Sequence, residues 1–105
     1  MNITGKMHIE CTAFVSLPWN SRKTHCLVGK MSEHMNESFN NRDDGTIETS
    51  NINYIDIVDG VVYAITHSKS RYELTNVTVE QITEMVERHN SRDQAPVIGL
   101  FTNEF

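Results

Sequence analysis

The sequence predicts an α+β fold: a curved antiparallel β-sheet of about five to six strands, with one main amphipathic helix over residues 79–89 on one face and a short helix near 33–39. Three observations lead there. Asp59-Gly60 stands between two β-branched runs, which specifies a two-residue hairpin. Thr78 and Gln81 form a capping-box pair ahead of apolar residues at helical spacing. His8–Leu17 alternates apolar and polar residues over ten positions. A length of 105 residues supports one core, so residues 1–105 read as a single domain.

The elements follow in chain order. Ile9, Cys11, Ala13, Val15 and Leu17 fall on one side of a first strand, with Phe14 the exception on the other. Pro18-Trp19-Asn20-Ser21 ends that strand, because proline cannot donate to a ladder and Asn and Ser favour turns. Thr24–Met31 is the expected return arm. Ser32 can cap a short helix whose first turn holds Glu33 and whose inner face carries Met35 and Phe39. Asn40–Asn51, around Asp43-Asp44-Gly45, reads as a polar loop.

Ile52–Val58 and Val61–His67 flank the Asp59-Gly60 turn, and the turn fixes the register. Val58 faces Val61, Ile57 faces Val62, Ile55 faces Ala64 and Tyr54 faces Ile65. Apolar pairs on both faces place this hairpin inside the sheet. Arg71–Thr75 extends the meander. In the helix Val79, Ile82, Met85, Val86 and His89 make one apolar stripe, and Val77 can staple to Ile82. Ala95–Phe101 is the expected last strand, and its continuation to Phe105 offers an edge to a second copy, hence a homodimer.

Composition narrows function. The net charge is −5, divided as +3 over residues 1–32 and −8 over 33–105. An acidic bias of that size opposes non-specific binding to nucleic acid or anionic membrane. No apolar run approaches the about 18 residues of a membrane span. The first residues lack the charged start and apolar stretch of a secretion signal, so a cytoplasmic protein with no membrane contact is expected.

Chemical sites are sparse. His8, Cys11, His25 and Cys26 suggest a metal, but members of each pair leave opposite faces of a strand, and too few ligands remain for zinc. A hairpin turning within 18–23 pairs Val15 with Cys26 and Cys11 with Lys30. That separates the two thiols by about 13 Å along the strands, where a disulfide needs about 7 Å or less. Two separate, mostly buried thiols are expected. No glycine-flanked serine and no phosphate-binding glycine loop is present. The expectation is a protein that is not an enzyme and takes no cofactor and no metal.

Two surfaces remain. Glu80, Glu84 and Glu87 line the outer face of the helix, and Asp43 and Asp44 form an acidic loop. With Trp19, these are the candidate contacts to a protein partner with a basic surface. The alternative is a small nucleic-acid-binding regulator. It would use the basic and aromatic loops at 19–23 and 69–72, through Arg22, Lys23, Lys69, Arg71 and Tyr72.

Glu48-Thr49-Ser50, Ile52, Ile55-Asp56, Val61-Val62, Thr66, Ser68 and Ser70-Arg71-Tyr72-Glu73-Leu74 resemble a hairpin pattern of small uncharacterised proteins of phages and mobile elements. The resemblance covers residues 48–74 only. It implies a small accessory protein that acts on a host factor, in the host cytoplasm, and it carries no catalytic residues. Combined with the acidic surface, it makes the expected function that of a phage-type inhibitor of a host or defence nucleic-acid-binding protein.

Overall fold

The structure is a computed structural model that describes residues 3–17, 22, 24–33, 46–92 and 96–103. Seven strands and one helix form two layers. The strands are β1 (Gly5–Ile9), β2 (Val28–Ser32), β3 (Ile47–Glu48), β4 (Ile52–Val58), β5 (Val61–Thr66), β6 (Arg71–Leu74) and β7 (Gly99–Asn103), and the helix α1 is Val79–Asn90. One sheet holds all seven strands in the order β3-β2-β1-β6-β5-β4-β7. The molecule measures 40 × 35 × 21 Å, and the short dimension is the depth of a sheet plus one helix.

The β4–β5 hairpin is built as its turn demands. Asp59 and Gly60 both take left-handed φ values, 51° and 83°, which matches the right-handed twist of the strands. The pairs Val58–Val61, Ile57–Val62, Ile55–Ala64 and Tyr54–Ile65 form in the expected register. That register puts Ile55, Ile57, Val62 and Ala64 on one buried face. Tyr72 and Leu74 of β6, then Met7 and Ile9 of β1, and then Met31 of β2 continue the same face.

The helix covers it. Thr78 caps α1 by accepting the Gln81 N–H, and the Gln81 side chain accepts the Thr78 N–H, which completes the capping box. Ile82, Met85, Val86 and His89 are buried, Val79 is half-buried, and Val77 packs on the cluster that contains Ile82. The chain passes from β6 through α1 to β7, which pairs in parallel with β4.

Several expectations change. Among the described residues there are seven strands rather than five or six, and the sheet is mixed, because β1–β6 and β4–β7 pair in parallel. The helix is the reason for the second pair: a strand entered by a helical crossover runs parallel to the strand that precedes it. The first strand is Gly5–Ile9 rather than His8–Leu17. Ile9 pairs with Gly29, yet the next pairing on that arm is the isolated Val15–Cys26 bridge. Five residues on one arm, 10–14, therefore oppose two on the other, 27 and 28, and the excess leaves the ladder. Phe14, the residue that broke the alternation, is the one this excursion turns into the core. His8, not Cys11, lies opposite Lys30.

The return arm begins at Val28 rather than Thr24 and runs to Ser32, so Ser32 belongs to a strand and does not cap a helix. Glu33 has φ 52°, a left-handed value that no first helical turn adopts. The remainder of the expected helix, 34–39, lies outside the described residues. Inside the expected loop at 40–51, Ile47–Glu48 forms β3 against Val28 and Gly29. The last strand lies at Gly99–Asn103 rather than 95–101.

Gly29 allows β1 and β2 to approach. A Cβ there would lie 2.3 Å from the His8 carbonyl oxygen and 2.8 Å from Ile9 Cα, both backbone atoms in a paired strand. Gly29→Ala is therefore expected to lower stability by about 1–3 kcal/mol, as overpacking does. Urea unfolding followed by circular dichroism measures it, and an unchanged midpoint would show that the two strands have room to separate.

Candidate functional site

Helix α1 and the end of β1 build a concave feature. Glu80, Glu84 and Glu87 all face solvent. Glu80 sits in the first turn, where the helix dipole favours a negative charge. Arg88 donates to the Glu84 carboxylate one turn later on the same face. Glu84 and Arg88 also rim a cleft of about 460 Å³ between the helix and residues 9–12. Ile9, Val77 and Met85 give it an apolar floor, and Glu10, Thr12 and Gln81 stand around the opening.

Asn76 holds the two walls together. Its Oδ1 accepts the Ile9 N–H at 2.8 Å, and its Nδ2 donates to the Ile9 carbonyl at 2.8 Å. Ile9 ends its strand, so without Asn76 both of its backbone groups would need water. Cys11 lines the same cleft, and its Sγ accepts the Val28 N–H at 3.4 Å. Glu10 carries a 3.6 Å ion pair to Lys30 and accepts the Thr46 hydroxyl at 3.2 Å. The acidic helix face is legible in the sequence and this cleft is not, because the Asn76 link that shapes it joins residues 67 positions apart.

The other acidic and aromatic candidates, Asp43, Asp44 and Trp19, lie outside the described residues, as does Lys23. Arg22 is exposed. Asn51 ties its segment to the β5–β6 turn: the Asn51 side chain donates to the Arg22 carbonyl, and the Asn51 carbonyl accepts the His67 N–H. Arg22 and the β5–β6 turn thus lie at one end of the sheet. Lys69 is exposed there, in the left-handed conformation at φ 70°.

Tyr72 does not join them at the surface. It is 8 % exposed and belongs to the core cluster, because its β6 neighbour Arg71 takes the opposite face. Arg71 lies over the Tyr63 ring, 4.1 Å from its centre, and Tyr54 meets Phe101 edge to face. Among the described residues, the aromatic rings on the face away from the helix are therefore Tyr54, Tyr63 and Phe101, none of them in the basic loops. Lys6 shares that face and pairs with Glu33 at 3.0 Å. The Glu33 hydrogen bond, then the charges of Glu33 and Glu73, raise its pKa above the usual lysine value.

Cys11 and Cys26 are both thiols, Cys26 buried and Cys11 half-buried. Among the described residues no group of three His, Cys, Asp or Glu side chains is placed to hold a metal ion. No helix among them is long and apolar enough to cross a membrane. No family model, curated protein or solved structure matches the chain.

Asn76→Ala is expected to cost about 1–3 kcal/mol, the usual loss when paired backbone groups are stranded. It should also loosen residues 9–12 against the helix. Thermal unfolding and the reactivity of Cys11 toward a thiol reagent report the two effects. Unaltered stability together with unaltered reactivity would remove Asn76 as the clasp.

Proposed function

We propose that the chain is a non-enzymatic protein-binding module that presents Glu80, Glu84 and Glu87 to a basic surface of its partner. The observation that carries this reading is the position of the acidic helix face beside a cleft with an apolar floor. Stable interfaces combine an apolar anchor with a charged rim. Ile9, Val77 and Met85 supply the first, and the glutamates supply the second. Arginine suits such a rim, since its planar fork bonds a carboxylate in two places.

A basic groove that ordinarily holds phosphates would accept the same row of carboxylates. A phage-type inhibitor that occupies the groove of a host or defence nucleic-acid-binding protein is the form of the proposal that joins this surface to the resemblance in residues 48–74. Asp43, Asp44 and Trp19 would widen the contact.

One observation favours a second reading, a small nucleic-acid-binding regulator: the Asn51 link that brings Arg22 next to the turn carrying Lys69. In that reading Arg22, Lys23, Lys69 and Arg71 meet phosphates. Stacking falls to Tyr54, Tyr63 and Phe101 rather than Tyr72. Titration of a fluorescent single-stranded oligonucleotide at about 50 mM salt separates the readings, since phosphate contacts weaken steeply as salt rises.

Charge reversal tests the leading one. The variant with Glu80→Lys, Glu84→Lys and Glu87→Lys is expected to keep the circular-dichroism spectrum, because all three side chains are exposed. It should lose about tenfold or more in affinity for the partner, roughly 1.4 kcal/mol. Partner binding by the triple variant equal to that of the parent would end the proposal.

A further inference from the structure

Three histidines come together where the helix ends. His25 lies between His67 of the β5–β6 turn and His89 of the last turn of α1, with ring centres 5.5 and 5.7 Å away. His25 and His89 are each 3 % exposed, while His67 is at the surface. Phe14 closes the far side with its ring 5.7 Å from that of His89. The histidines sit on separate pieces of chain, and His89 ties the end of α1 to the segment that follows it. His89 Nε2 is 2.8 Å from the Pro96 carbonyl, so it carries the proton and donates. His25 Nδ1 is 2.7 Å from the Thr24 hydroxyl.

That arrangement suits neutral rings only. With its proton on Nε2, His89 leaves Nδ1 bare, and Nδ1 is buried with no hydrogen-bond partner. A proton added there would have no acceptor and would sit beside His25. Among the described residues, the charges on the packed elements offer no relief. The groups that act electrostatically on His25 are His89 and His67. The turn adds Lys69, the helix end adds Arg88 and Arg92, and the segment before His25 carries Arg22, all cationic. In the last two turns of α1 the carboxylates are Glu84, which is paired with Arg88, and Glu87, and both are exposed on the outer face. From the strand side, the neighbours are Asn51 and Thr24, both neutral.

We propose that His25, packed between His67 and His89, is an acid-operated latch, which fastens the end of α1 and residues 96–98 to residues 24–27 while its ring is neutral and lets that corner open when the ring is protonated. Burial first, then the neighbouring His89 and His67, hold the His25 pKa below its ordinary 6.5. The opened chain therefore takes up the proton more readily than the closed one. The closed form has its full advantage above pH 6.5 and loses it as the pH falls from there through the lowered value. Cys26, fully buried and bridged to Val15, is the reporter next to the latch.

Hydrogen exchange on the full chain, corrected for the intrinsic effect of pH, tests this at about pH 7.5 and 5.5. Peptides over 24–27 and 86–92 should lose about tenfold or more of their protection at the lower pH. The hairpin at 54–63 should keep its own, and Cys26 should become reactive toward a disulfide reagent that works in acid. His67→Gln, at an exposed turn position, removes one of the two imidazoles that act on His25 and should move the opening to lower pH. Imidazole proton resonances of the unaltered chain give a reading that needs no variant. Uniform loss of protection across latch and hairpin, no loss at the lower pH, or a His25 that titrates at its ordinary 6.5 would each overturn the latch.

Discussion

The packing of α1 on the face set by the β4–β5 hairpin is the constraint from which the other features follow. Two left-handed residues at Asp59 and Gly60 leave one register, and that register gathers Ile55, Ile57, Val62 and Ala64 on one side. Such a surface has to be covered, and the chain has one long apolar stripe with which to do so. Once Ile82, Met85 and Val86 are turned inward, helical geometry sends Glu80, Glu84 and Glu87 outward. The acidic surface is thus a consequence of the core, and so is the cleft, which is the gap left where a straight helix parts from the end of β1.

The same geometry separates the molecule's chemistry into two ends. At the helix N-terminus lie the capping box, the Asn76 clasp and the apolar floor of the cleft. At the helix C-terminus lie the histidines, the β5–β6 turn and the Arg22 segment. One end is built from satisfied backbone groups and a carboxylate rim. The other is built from two buried imidazoles, His25 and His89, with His67 at the surface beside them. The first end is fixed by the Thr78–Gln81 capping box and by Val77 packed on the core.

The hairpin and the helix were legible in the sequence because their signals are local. Asp59-Gly60 and Thr78–Gln81 each specify geometry within four residues. What was not legible depends on partners far along the chain. The parallel pairing of β1 with β6 and of β7 with β4 leaves no mark in either strand. The alternation at 8–17 pointed to a strand longer than the real one, because period two records sidedness and says nothing about three residues that leave the ladder. Tyr72 looked like a surface ring since it follows Arg71 in a polar turn, yet strand parity decides its face, and parity was set by a register outside that segment. The histidine cluster had no signal, as residues 25, 67 and 89 share no pattern. For the acidic row the sequence sufficed, since one helix determines it.

The parallel contact between β1 and β6 also imposes an order of events on synthesis. Arg71 N–H bonds to the Thr4 hydroxyl across 67 positions of chain, and the β6-facing side of β1 has no mate until residues 71–74 have emerged. During translation the nascent N-terminal strand therefore waits with one side uncovered, while the contiguous stretch from Ile52 to Asn90 can assemble from neighbours alone. The brevity of β1, five residues including Gly5 and Lys6, limits what that idle edge can recruit from other nascent chains.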